Sequence, residues 1–246
     1  MSAQISTFLQ HNVGMLGLSS DKDGNGQRQE EKTLLDYACG TGLVTKALQP
    51  YINRAIGIDI SPSMVSRYNE LFTTTPSHPF IAKAKVADYL AEQPRTKDTE
   101  ATQDTENKEG DAEFDLAVVG LGFHHFHDPA HALGVLKARL KRGGVLAIVD
   151  FLPFPAGGHS HGHGHEHGHE HKQKESGKSD GAFPEEALPT IKTSGFSEED
   201  MARLFEGAGL ADVRFEVMDG EVEMFVGNDE RRVVRRVFVA TAVRKD

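Results

Sequence analysis

The chain has a single cysteine, Cys39, so it can form no internal disulfide. It also lacks a basic cluster: 27 Lys and Arg against 37 Asp and Glu give a formal net charge of -10, the wrong sign for a protein whose main partner is a nucleic acid. No apolar run approaches the roughly 20 residues that a membrane-spanning helix needs. The opening residues, MSAQISTFLQHN, have neither the basic start and apolar stretch of a secretory signal nor the arginines of a transit peptide. Together these absences predict a cytoplasmic, soluble protein. Only 38% of the 246 residues are hydrophobic, which predicts polar segments diluting an ordinary core.

What is present is an alternation of strand-like and helix-like segments. A loose helical spacing over 2–18 precedes the strand-like TLLDYA at 33–38, and LVTKALQ from Leu43 reads as a helix stopped by Pro50. RAIGIDI at 54–60 is a second strand, followed by a helix that Ser61 caps, with Pro62 at its first position. FIAKAKV from Phe80 and FDLAVVG at 114–120 are the third and fourth strands. Asp128 and Pro129 open a helix ending near Leu140, with KRGG as its stop, and GVLAIVDF is the fifth strand. A helix capped by Ser197 leads to two more strand-like runs, VRFEVM and VVRRVFVATAV. The pattern predicts an α/β fold: a Rossmann-like, seven-stranded, mainly parallel sheet with helices on both faces. The last two runs have no helix between them, so one antiparallel strand is expected near the carboxyl terminus. One domain over 1–246 is expected, with a polar insertion at about 93–113 and a His-rich one at about 155–181.

Ligands of such sheets sit at the carboxyl ends of the strands. After the first strand, DYACGTG places Gly40 and Gly42 where the backbone must turn tightly and approach a ligand. Asp59 ends the second strand, placed to accept hydrogen bonds from a ribose diol. A dinucleotide fingerprint would have a third glycine at position 45, where this chain has Thr45. Asp36 precedes the turn and Asp88 follows the third strand. Three carboxylates at successive strand ends suit a cationic ligand with a ribose and an exocyclic amine better than a pyrophosphate, although a nicotinamide-dependent oxidoreductase remains open on these features.

LLDYACGTGLVT, GIDIS, VADYL and FDLAVVGLGFHHFHDP resemble the ordered motifs of class I S-adenosylmethionine-dependent methyltransferases. They are most similar to the small-molecule branch that includes ubiquinone/menaquinone-type enzymes, over about 33–151. The resemblance implies S-adenosylmethionine as cofactor, S-adenosylhomocysteine as product, and methyl transfer to an O, N or C nucleophile of a small molecule. It implies that the loop of Asp36, Ala38, Cys39, Gly40, Thr41 and Gly42 wraps the methionine portion. Asp59 would hold the ribose, Ile60 and Met64 would flank the adenine, and Asp88, with Ala87 and Tyr89 beside it, would take the adenine amine. Val119 and Gly120 would close the pocket, while His124 and His125 face the acceptor and supply a base where the acceptor must lose a proton. Relatives usually fold a longer, aromatic and acidic amino-terminal segment over the cofactor; here about 32 residues precede the first strand, without that motif.

Cys39 reads as a small residue filling a tight turn, not a reactive thiol. His127 and His131 have the i, i+4 spacing of helix-borne metal ligands but no H-E-x-x-H glutamate, so no metal is expected there. The tract HSHGHGHEHGHEH, from His159 to His171, has imidazoles able to chelate nickel, copper or zinc, yet alternating glycine offers no fixed geometry. It reads as a solvated insertion whose metal binding is adventitious. The competing non-enzymatic expectation is a metal-binding or scaffold protein with a degenerate methyltransferase fold.

Overall fold

The central apolar runs form strands whose side chains are buried on both faces, as a sheet covered by helices on either side requires, while the edge runs 81–86 and 211–217 stay partly exposed. A computed structural model describes residues 1–18, 31–73, 80–91, 113–154, 192–226 and 231–246. The histidine tract, the 155–181 insertion and all of 93–113 except Glu113 lie outside the described residues.

The parallel part of the sheet comprises β1 (Thr33–Tyr37), β2 (Arg54–Asp59), β3 (Ile81–Val86), β4 (Phe114–Gly120) and β5 (Leu140–Phe151). It continues through β6 (Ala211–Val217), while β7 (Val222–Val226) and β8 (Arg231–Arg235) form a separate hairpin, and β9 (Val237–Val243) returns to the main sheet. The order is β3-β2-β1-β4-β5-β9-β6, with β9 antiparallel to both neighbours. Strand order reverses between β1 and β4, both parallel to their partners, so a crevice opens where Tyr37 and Val119 lie side by side.

The expected seven strands and single antiparallel strand are present, with three local differences. VVRRVFVATAV is two strands broken at Arg236, because β8 turns back to pair with β7 instead of extending β9. KRGG is not a helix stop: α4 (Pro129–Lys137) has already ended, and Leu140, fully buried, pairs with Phe114 to start β5 before a register shift. Gly143 takes φ +79 in this irregular stretch, and its N–H donates to Arg244 O at 2.7 Å. The first helix, α1 (Ser2–His11), stops at Asn12, with turns beyond it.

α1, α2 (Leu43–Leu48) and α3 (Pro62–Thr73) cover one face. Ile5, Leu9, Ala47 and Leu48 pack there on Leu34, Leu116 and Ala147. α4 and α5 (Glu198–Gly207) cover the other, where Leu133, Leu136, Met201 and Phe205 meet Leu35, Ile148 and Ala240. Burying a side chain of this size stabilises by about 2–3 kcal/mol. Ser197 starts α5 through a reciprocal capping box with Asp200, and Asp128 caps α4 by accepting from His131 N at 2.9 Å. α1 is packed against α2.

Candidate active site

The turn after β1 is built from left-handed backbone. Ala38, Gly40 and Gly42 have φ of 56°, 52° and 89°. Ala38 is a non-glycine residue held in a conformation that costs L side chains roughly 1–2 kcal/mol. Gly42 is required twice over, since a Cβ there would lie 2.8 Å from Phe72 and 2.9 Å from Tyr68. At Gly40, a Cβ would meet nothing within 4 Å, so the turn presents bare backbone to an open space. Cys39 points the other way, buried over Gly57, and its N–H donates to Ile58 O at 3.0 Å. Burial pushes its thiol well above the usual range, which leaves a packing role and no nucleophile. Thr41 is exposed.

Asp36 lies beneath this turn, almost wholly buried. Its Oδ2 accepts from Thr45 Oγ1 at 2.7 Å and from Thr45 N at 3.3 Å, and Tyr68 donates to the same Thr45 hydroxyl at 3.0 Å. Oδ1 has no hydrogen-bond partner among the described residues. Burial raises the carboxyl from 3.8 to about 7, against the lowering effect of the Thr45 hydrogen bonds, and the nearby Asp59 charge adds to the rise. A half-satisfied buried carboxyl at the base of a glycine turn fits a cationic ligand group such as an ammonium.

Asp59 stands opposite. Its Oδ2 accepts from Gly40 N at 2.8 Å and its Oδ1 from Ser61 N at 2.9 Å, so two backbone N–H groups fix the carboxylate beside the turn. Ile60 next to it is 71% exposed and Met64 37% exposed, an unusual display of apolar surface at the strand ends that would suit a flat aromatic base. Asp88, exposed after β3, is tied to β1: its Oδ1 accepts from Tyr37 OH at 2.9 Å and from Leu90 N at 2.9 Å. Ala87 N donates to Asp59 O at 3.2 Å, which sets the second and third acids at adjacent strand ends. Tyr89 instead turns into the core, stacked on Tyr37 with ring centroids 5.9 Å apart and with the Arg139 guanidinium 4.1 Å from its centroid.

Val119 is buried, and Gly120 packs so closely on Val44 that a Cβ would fall 2.4 Å from its methyl. Leu121 follows at φ 59°, and Gly122 faces Ala38 across the crevice, 3.3 Å from an added Cβ to the Ala38 methyl. His124 and His125 form the next turn of 3-10 helix. His125 is exposed, while His124 is buried and its ring lies 4.0 Å from that of His125. His124 is held by Asp150 of β5 at 2.7 Å from its Nδ1.

Thus Asp59 is bonded to the turn itself, Asp36 is held by Thr45 in the helix that follows it, and Asp88 is tied to β1 through Tyr37. Sequence reasoning missed Thr45 and Tyr68 behind Asp36, Tyr37 behind Asp88, and Asp150 behind His124. Thr45 had a signal, a hydroxyl in the first turn of the helix that follows Asp36. The other three are met only when the strands are assembled. His127 and His131 belong to no cluster of three or more His, Cys, Asp or Glu among the described residues. Nor does any described helix have the length and apolarity to cross a membrane.

Comparison with known proteins gives the same assignment. The methyltransferase domain family matches residues 7–214. An uncharacterized methyltransferase of Schizosaccharomyces pombe is 32% identical over 143 residues, 55% of this chain, and the match spans 45% of that relative's length. An N-methyltransferase of Bradyrhizobium japonicum has a TM-score of 0.55 at 14% identity, over 99% of this chain and 98% of its own. A magnesium protoporphyrin IX methyltransferase of Synechocystis, solved with S-adenosylmethionine bound, has a TM-score of 0.54 at 14% identity, over 98% of this chain and 80% of its own. These likenesses agree with the Rossmann-like topology, and the oxidoreductase and scaffold readings find no support among them. With a family match across most of its length, the chain belongs to the methyltransferase domain family and has the fold of S-adenosylmethionine-dependent methyltransferases.

Proposed function

We propose that this protein transfers a methyl group from S-adenosylmethionine to an O, N or C nucleophile of a small molecule. The observation that carries the reading is the left-handed turn with an open face at Gly40, bonded to Asp59, with the half-satisfied Asp36 carboxyl at its base. Asp36 Oδ1 would meet the cofactor's ammonium, with the Gly40 backbone beside its carboxylate. Asp59 would take the ribose hydroxyls with the lone pairs that Gly40 N and Ser61 N leave available. Ile60 and Met64 would cover the adenine and Asp88 would accept from its amine, while Ala38, Thr41 and Ala87 would shape the walls and Cys39, Gly42 and Tyr89 would brace them from behind. Val119 and Gly120 would form the floor, with His124 and His125 toward the acceptor.

The cofactor supplies an activated methyl on sulfonium, so the residues of this chain have three tasks: hold the donor, align the acceptor and keep water out. A base is needed only for acceptors that must lose a proton, and His124 or His125 would supply it. The chain would act as one domain in the cytoplasm, with the polar segments as insertions. Calorimetric titration tests the reading. S-adenosylhomocysteine should bind and NADH should give no heat, and Asp59→Ala should weaken S-adenosylhomocysteine about 100-fold by removing two charge-assisted hydrogen bonds. Absence of heat with the wild-type protein would overturn it.

A further inference from the structure

His124 Nδ1 lies 2.7 Å from Asp150 Oδ1, His124 N–H donates to Asp150 Oδ2 at 2.9 Å, and Phe151 N–H donates to Oδ1 at 2.8 Å. Asp150 is wholly buried, the last but one residue of β5, and Leu121 N–H donates to Val149 O at 2.7 Å just before it. The turn after β4 is therefore clamped to the end of β5 by backbone and side chain together. From the far side, His124 O accepts from Lys192 N at 2.9 Å and Thr193 N at 3.1 Å, and the rings of His125 and Phe151 lie 4.0 and 5.3 Å from the imidazole. A buried carboxylate with three donors aimed at it is a costly feature, and a turn could be held by the two backbone bonds alone.

We propose that Asp150 is a positioning residue, which fixes His124 as the Nδ1–H tautomer and so makes Nε2 the nitrogen that accepts the acceptor's proton. This rests on the methyltransferase reading above. Both Asp150 oxygens already accept backbone N–H groups, so the carboxylate acts as acceptor toward the ring and Nδ1 must carry hydrogen. The lone pair then resides on Nε2. As the acceptor atom bonds the methyl carbon, its hydrogen passes to Nε2, and the electron pair of the broken carbon–sulfur bond goes to the sulfonium sulfur. The imidazolium so formed is stabilised by Asp150 through the same short bond.

Nitrogen-15 NMR of the imidazoles, with the His124 resonances assigned by their loss in His124→Gln, reads the tautomer directly. The wild-type protein should show Nδ1–H with a pyridine-type Nε2. In Asp150→Asn the amide oxygen can still accept a backbone N–H, but the amide nitrogen donates to Nδ1, so the two resonances should exchange positions. The affinity for S-adenosylhomocysteine should stay within about twofold. For whichever of a phenol, an amine or a carbon acid the wild-type protein methylates, kcat should fall about 100-fold or more with little change in KM. A wild-type Nε2–H tautomer overturns the proposal without needing any variant to fold. So does an Asn variant that inverts the tautomer yet keeps its rate. Failure of wild-type S-adenosylhomocysteine binding, in contrast, removes the methyltransferase reading and leaves the tautomer measurement standing.

Discussion

Asp36→Asn isolates the least comfortable group in the site. The carboxyl is raised from 3.8 to about 7, first by burial, because one oxygen has only Thr45 as partner and the other has none among the described residues. A displacement of that size corresponds to roughly 4 kcal/mol of differential interaction between its protonated and ionised forms. The sign is the reverse of the usual carboxylate case. Between about pH 4 and about pH 7 the folded protein keeps a proton that the unfolded chain has released, so stability falls as pH rises through that window and levels off above it. The Asn variant has no such proton. Urea unfolding followed by circular dichroism at a series of pH values should therefore show the wild-type protein losing roughly 4 kcal/mol relative to the variant between about pH 4 and about pH 8. Stability curves of the two proteins that run parallel across the window would refute the account of Asp36 as a desolvated carboxyl. The same charge connects to ligand binding: an ammonium beside Oδ1 favours the ionised form, so cofactor uptake below pH 7 should expel a proton, read as buffer-dependent heat in calorimetry.

Other outcomes follow from single contacts. Gly42→Ala combines a left-handed backbone with a clash against the Tyr68 and Phe72 rings and should cost at least about 2 kcal/mol, visible as a lowered melting temperature. An unchanged midpoint would mean that the turn can relax. Ser197→Ala removes one half of the α5 capping box and should cost about 1 kcal/mol in chemical unfolding, with S-adenosylhomocysteine affinity unaffected. Deletion of 157–174 should abolish nickel retention by the protein while leaving S-adenosylhomocysteine binding intact; loss of both would tie the histidine tract to the site.

Much of the fold could be read from the sequence because the signals were local. Asp59 and Asp88 follow recognisable strands, Ser197 and Asp200 spell a cap, and missing helix between the last strands foretold an antiparallel partner. The misreadings share a physical cause. KRGG contains the glycines of a helix stop, yet the pairing of Leu140 with Phe114 draws it into a strand. Nothing within VVRRVFVATAV marks Arg236 as a break, because the break exists to let β8 reach β7. Thr45, noted only as the residue replacing a glycine, proves to be the hydrogen-bond partner of Asp36. Asp150 meets His124 across 26 positions through strand pairing, and no periodicity within either segment reports it.

The placement of β9 also governs the order in which the sheet can be completed. β6 hydrogen-bonds to no main-sheet strand except β9, and β9 is made after it. Until β9 is in place, β6 has no main-sheet neighbour among the described strands, and the flank of β5 that β9 occupies is an open edge. Such an edge can capture another nascent chain as readily as its own strand. Pairing of 237–243 is thus the step that both closes the β5 edge and gives β6 its place, and a chain in which it fails exposes that edge to aggregation.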